Sequence, residues 1–235
     1  MVQTTKNNKL SIPEMLGKNW IALFLVVLVI VFSLLAPAFF SIDTLQLIFF
    51  NGTEVFLLGA AELFVIITGG IDLSVGFIMG FSTIMCSKLI VMFQGFGLSA
   101  FASILAGSLF MLAIGLLPGL VNGWLVAYLR VPAFIATFSM LGITHGISEL
   151  MTQGVPTKNL PSLAGVIGNG SFLYISPDSE IHFFARPQVP RGQIVVSILP
   201  NMAVFAFIFI LMFSFLLSKT KFGRHLYAIG GNIDA

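Results

Sequence analysis

Charge is what this sequence has least of. Asp, Glu, Lys and Arg make up only 9% of its 235 residues, where a soluble domain uses roughly 25% to cover its surface. That shortage excludes a soluble globular domain. Cysteine is nearly absent: Cys86 stands alone, so neither a disulfide framework nor a Cys-based metal site can form within the chain, and Cys86 reads as a small apolar filler. The net charge is +2, with the basic residues at the ends of apolar runs rather than in a stripe, which excludes a nucleic-acid partner. Also missing are the G-x-S-x-G elbow, the H-E-x-x-H zinc pair and the G-x-x-x-x-G-K-[ST] phosphate loop, and with them the chemistry those spacings support.

What is there is apolar: 57% of the residues belong to the AVILMFWYC set. A helix crossing the hydrocarbon layer needs about 20 mostly apolar residues. Such runs occur at Trp20 to Phe40, Leu45 to Thr68, Ile71 to Phe93, Leu98 to Leu120, Val131 to Met151 and Ile194 to Leu217. The fold expected is therefore all-α, a polytopic transmembrane helical bundle of about six spans with a broken-helix segment near 68–76. Residues 1–19 form an N-terminal segment, 20–217 a membrane domain with an external loop at about 152–193, and 218–235 a basic tail. The first run follows Lys6, Lys9 and Lys18 and is long for a signal core, so it reads as a retained anchor. Placing both termini in the cytoplasm keeps Lys6, Lys9, Lys18, Arg130, Lys219, Lys221 and Arg224 inside, as the distribution of basic residues in membrane proteins favours.

Polar residues inside such runs are where chemistry is expected. Between the second and third runs, Glu62 is followed by Thr68, Gly69, Gly70, Asp72, Ser74 and Gly76. An interrupted helix survives in a membrane only inside protein or beside a water-filled cavity, and broken helices recur along transport pathways. The glycine pair ends one helix, and Asp72 or Ser74 can cap the next. Glu62 is a candidate hydrogen-bonding partner for a polar ligand, with Glu54 eight residues earlier near the same face. An ordinary turn with a capping Asp is the simpler alternative. His145 and Glu149, four apart, meet on one helical face as a structural pair, since a metal site would need further ligands. Ser139 and His145 fall on opposite faces, which leaves an intramembrane enzyme without a catalytic set. The tail from Lys219 to Ala235 mixes basic, aromatic and glycine residues, and reads either as an anchor or as a docking segment.

Four stretches make the chain familiar: Val65 to Gly76 (VIITGGIDLSVG), Val121 to Leu129 (VNGWLVAYL), Val131 to Thr137 (VPAFIAT) and Thr220 to Asn232 (TKFGRHLYAIGGN). In order and spacing they resemble the permease subunits of bacterial ATP-binding-cassette importers for ribose and related simple sugars. The resemblance implies a subunit of the bacterial cytoplasmic (inner) membrane that is not itself an enzyme and holds no cofactor. A cytoplasmic ATPase would use the ATP, a periplasmic or lipid-anchored sugar-binding protein would deliver substrate, and a second permease subunit would complete the pathway among membrane lipid. It further implies an ATPase contact at Arg224, His225, Tyr227, Gly230, Gly231, Asn232 and Asp234. Together with the polar residues above, it places Glu62, Thr68, Asp72, Ser74 and Asn122 on a substrate pathway. Members of the family run on through further spans, so an incomplete, N-terminal part is expected here. The alternative function is an ATPase-independent secondary carrier or channel, for which Glu62 with Asp72 is the candidate ion site.

Overall fold

The computed structural model describes residues 19–190, 193 and 195–231. The chain divides into two compact units, residues 1–47 and 48–235.

In the first unit, α1 (Trp20–Leu35) is apolar throughout. Its 16 residues cover about 24 Å at 1.5 Å each, less than a hydrocarbon layer of about 30 Å. It stops where Ala36 turns extended ahead of Pro37, because the residue before a proline is pushed out of the helical region. The run to Phe40 expected as one span is thus a shorter helix and a turn. Ser41 then starts the next helix: its Oγ accepts the Thr44 N–H at 3.1 Å, a side-chain cap.

That helix, α2 (Ile42–Ile67), begins in the first unit and runs into the second. There it is followed by α3 (Val75–Gly95), α4 (Ala100–Ala127), α5 (Ala133–Thr152), a short α6 (Ser162–Asn169), α7 (Asn201–Lys219) and α8 (Lys221–Gly231). Of these α2, α3, α4, α5 and α7 are long and apolar enough to cross a membrane, which bears out the polytopic helical bundle.

The centre of the second unit is the packing of α3 against α4 and α5. Lipid tails are as apolar as leucine, so membrane helices pack by close approach of small residues. Gly107 of α4 is such a point: a Cβ there would lie 2.6 Å from Ile90 Cγ1 and 3.3 Å from the Cys86 carbonyl. Cys86 is buried at this crossing, as a filler should be. The hydroxyls in the interface, Ser82, Thr144 and Ser148, satisfy themselves on carbonyls four residues back, at 2.7, 2.9 and 2.7 Å.

Three boundaries differ from the sequence expectation. First, α4 continues to Ala127 rather than ending near Leu120, because the apolar run goes on through Val121, Trp124 and Val126; Asn122 therefore sits inside a helix. Second, the loop after α5 is not featureless. It holds α6 and a three-stranded antiparallel sheet of β1 (Ser171–Ile175), β2 (Ile181–Phe183) and β3 (Val196–Pro200) in the order β2-β1-β3, with Leu173 opposite Phe183 and Tyr174 opposite Ser197. The bundle is thus not purely helical. Third, β3 takes the first residues of the sixth run, and α7 starts only at Asn201. Pro200 occupies the N-cap, where its missing N–H costs nothing and a ladder bond cannot continue past it.

Candidate functional site at the helix break

Helix α2 ends in a left-handed cap. Gly69 has φ +79°, its N–H donates to the Ile66 carbonyl at 3.0 Å, and the Gly70 N–H reaches back to the Val65 carbonyl at 3.1 Å. This double closure needs a residue that enters the left-handed region cheaply, and glycine is that residue. Thr68 contributes locally, its Oγ1 donating to the Val65 carbonyl at 2.8 Å. It belongs to the cap and does not join the polar cluster beyond it.

Beyond the cap the non-helical segment Ile71 to Ser74 is held by side chains from three helices. Glu62 Oε1 of α2 accepts the Asp72 N–H at 3.1 Å. Asp72 Oδ1 accepts both the Ser74 N–H at 2.7 Å and the Ser74 hydroxyl at 2.6 Å. Ser74 is fully buried, and its Oγ accepts a bond from Asn122 Nδ2 of α4 at 3.0 Å. On α5, Thr137 donates to the Ile71 carbonyl at 3.3 Å and to its own Ala133 carbonyl at 2.8 Å. Of the two expected caps for α3, Ser74 occupies the N-cap position but makes no side-chain cap bond, whereas Asp72 binds the Ser74 N–H. Gly76, expected in the break, lies in the first turn of α3, with open space where a Cβ would stand.

The cluster has two loose ends. Glu62 Oε2 and Asn122 Oδ1 are buried without a hydrogen-bond partner. An unpaired buried acceptor costs about 1–3 kcal/mol, so both are poised to take a donor such as water or a solute hydroxyl. No group of three His, Cys, Asp or Glu side chains is placed to hold a metal among the described residues.

The tail comes to the same place. Phe222 of α8 lies against Phe64 of α2 at 6.2 Å between ring centres, and Phe64 meets Phe213 of α7 edge-on at 5.4 Å. At the far end of α8, a Cβ on Gly230 would overlap the Ile67 carbonyl. The tail helix thus meets the end of α2 at two points, Phe64 and Ile67, the second being the residue from which the break begins. Arg224, His225 and Tyr227 are exposed on it, and Gly231 has open space beside it. Asn232 and Asp234 lie outside the described residues, as do Lys6, Lys9 and Lys18.

The structure therefore gathers Glu62, Asp72, Ser74 and Asn122, leaves Thr68 apart, and adds Thr137, Phe64 and Phe222. Thr137 stood in one of the recognisable stretches, but nothing in its spacing marks a bond across 66 residues. Phe64 is one of 25 phenylalanines and carries no distinguishing signal.

The cap supplies a direct contrast between two glycines. A Cβ on Gly70 would lie 2.9 Å from Val65 Cγ1 and 3.4 Å from the Val65 carbonyl, whereas Gly80 has nothing within 4 Å. Gly70→Val is expected to lower the yield of folded protein in detergent several-fold, with Gly80→Val close to the parent. Fluorescence-detected size exclusion measures both, and equal, mild effects would return the break to an ordinary turn.

Residues 45–235 match the family described as the permease component of branched-chain amino acid transport systems. The chain belongs to that family. It is also similar to the autoinducer 2 import system permease protein LsrC of Yersinia pestis (strain Pestoides F), with 31% identity over 196 residues, 83% of this chain and 47% of the relative. LsrC of Yersinia pseudotuberculosis serotype O:1b (strain IP 31758) matches over the same shares at the same identity. The chain thus spans about half the length of the curated relatives it matches. No solved structure matches it. The resemblance to importer permeases of the simple-sugar type is borne out, and with it a multi-pass protein of the bacterial cytoplasmic membrane whose family consists of transport permease subunits.

Proposed function

We propose that this permease chain forms part of the membrane pathway of an ATP-driven importer for a small, hydroxylated polar solute such as a simple sugar. The supporting observation is the seat of α8. Its Phe222 lies against Phe64 and its Gly230 against Ile67, both in the last turn of α2 before the break, while Arg224, His225 and Tyr227 stay exposed. A cytoplasmic ATPase holding those exposed residues would move α8, and α8 would carry the end of α2 with it. The Asp72–Ser74–Asn122 ties would then break and re-form as the pathway opens to one side and then the other. Each state must differ in affinity for a partner if that partner is to drive the change, and nucleotide binding by the ATPase supplies the difference. The chain would use no cofactor of its own. A periplasmic or lipid-anchored binding protein would deliver the solute at the end carrying α6 and the sheet, and a second permease subunit would close the pathway. Both chain termini, and the break, would face the cytoplasm.

The test is made on the assembled importer. Arginine and aromatic side chains dominate interfaces, with losses of 2 kcal/mol or more on truncation, so Tyr227→Ala should weaken co-purification with the ATPase by about tenfold or more. It should depress solute-stimulated ATP hydrolysis alike and leave membrane insertion unchanged. Normal coupling by Tyr227→Ala would overturn the docking role of α8.

A further inference from the structure

His145 and Glu149 are out of place. They face each other on α5 with Nε2 and Oε1 3.8 Å apart, yet their side chains are 55% and 60% exposed. Both lie on a helix of membrane-spanning length. Ionisable side chains within membrane helices almost always face a bundle interior or a water-filled cavity rather than lipid. The face that carries them is therefore turned to water or to polar matter. His145 is fixed on that face edge-on to Phe77 of α3, 5.3 Å between ring centres.

Beside Glu149 the surface is hollow. A cavity of about 470 Å³ lies between α3, the end of α5 and the segment that follows it, with Thr83, Ser87, Glu149, Thr152 and Thr157 on its walls among apolar side chains such as Ile84 and Leu160. Its size is that of a small-molecule site. It is distinct from the break: Glu149 is twelve residues beyond Thr137 on the same helix, about 18 Å along its axis.

The hydrogen-bonding state of the wall selects the occupant. The hydroxyl hydrogen of Thr83 is used on the Met79 carbonyl at 2.9 Å, and that of Thr152 on the Ser148 carbonyl at 2.9 Å. Ser87 donates to the Ile84 carbonyl at 2.8 Å, so in its 2.8 Å bond with Thr157 the threonine is the donor. The hydroxyl hydrogens of Thr83, Ser87, Thr152 and Thr157 are thus engaged, which leaves these side chains and the Glu149 carboxylate as acceptors. No Lys or Arg lines it. A wall of acceptors rejects anions. It suits a molecule rich in O–H or N–H donors with C–H faces for Ile84 and Leu160, and the importer reading makes that molecule neutral and hydroxylated.

We propose that this α3–α5 cavity is a docking subsite for a neutral polyhydroxylated solute, with Glu149 as the orienting acceptor. The proposal rests on the importer reading and adds to it a place where the solute pauses before it reaches the break. A subsite that must also release its load binds weakly, so millimolar solute is the relevant range.

The experiment uses the full chain in nanodiscs, with D-ribose as the probe. Thr152→Cys is labelled with a charged, membrane-impermeant thiol reagent, against a background set by the parent chain, whose Cys86 is buried. Leu150→Cys, at an exposed apolar position on the same helix, reports a lipid-facing site. Thr152→Cys is expected to react well above Leu150→Cys, and D-ribose at about 50 mM should slow it severalfold while equimolar glycine betaine does not. Adding Glu149→Leu should raise the ribose concentration needed for half protection by about tenfold, the effect of one lost charge-assisted bond, whereas Glu180→Leu in the loop should leave it unchanged. Reaction no faster than at Leu150→Cys, slowing by betaine as much as by ribose, or protection that survives Glu149→Leu would each overturn the subsite. No ATPase is present in this measurement, so a missing subsite and a failure of ATP coupling are seen separately.

Discussion

Ser74→Ala is expected to destabilise the folded chain by about 2–4 kcal/mol, far more than the loss of one surface hydroxyl. The serine is fully buried and its oxygen does two jobs, donating to Asp72 Oδ1 and accepting from Asn122 Nδ2. Without it Asp72 keeps the backbone N–H of residue 74, but Asn122 loses its only amide bond. Because Asn122 Oδ1 is already unpaired, the whole carboxamide would be left without a protein partner among the described residues. That asymmetry yields a second expectation. Removing both partners, in Ser74→Ala with Asn122→Leu, should be less harmful than the sum of the single changes by about 1–2 kcal/mol. Denaturant or thermal unfolding in detergent micelles measures all three variants. A Ser74→Ala change within 0.5 kcal/mol of the parent, or strict additivity, would show that the hydroxyl is not the joint between α3 and α4.

Gly230→Leu is expected to abolish transmission from the tail while leaving the bundle folded. Leucine is a better helix former than glycine by about 0.8–1.0 kcal/mol, so α8 itself gains. The side chain, however, would run into the Ile67 carbonyl, a backbone group that cannot rotate away. Helix α8 must then lift from α2 or push the cap of α2 out of shape. At Gly231, one residue on, a side chain meets open space, which makes Gly231→Leu the matched control. The expected pattern is normal insertion and thermal stability for both, faster tryptic cutting at Lys221 and Arg224 in Gly230→Leu, and near-complete loss of coupled ATP hydrolysis in that variant alone. If both variants couple equally, the contact between α8 and the break transmits nothing.

Much of this architecture could be read from residue order, and the exceptions share a cause. The existence of the long helices followed from apolar runs, because a helix in lipid must hide its own backbone and the runs that do so are conspicuous. Their ends were less legible. Hydropathy does not distinguish the strand Val196–Pro200 from the first turn of a helix, and the pairing with β1 that settles it lies more than twenty residues away. Likewise α4 outlasts its expected end because Asn122 interrupts the hydropathy of the run without interrupting the helix. At the site, residue type was informative where lipid makes it costly: Glu62, Asp72, Ser74 and Asn122 stand out in an apolar chain, and they converge. Thr68 and Gly76 look the same on paper but serve the cap and the first turn of α3. Which polar residue finds which partner depends on how helices cross, and that is not encoded within a short window. The His145–Glu149 pair shows this in another way. Spacing brought the two together correctly, yet it does not report exposure, and the pair stands on an open face of the helix rather than inside the bundle.

The segment between α2 and α3 has the form of a loop, but two of its amides do not behave as loop amides. The Asp72 N–H is held by the Glu62 carboxylate and the Ser74 N–H by that of Asp72. In an ordinary turn such protons would pass to solvent deuterium almost at once, while here each must wait until a carboxylate lets go. Their exchange lifetimes therefore clock the opening of the break itself, proton by proton, in a stretch where the surrounding backbone has no helical protection to obscure the reading.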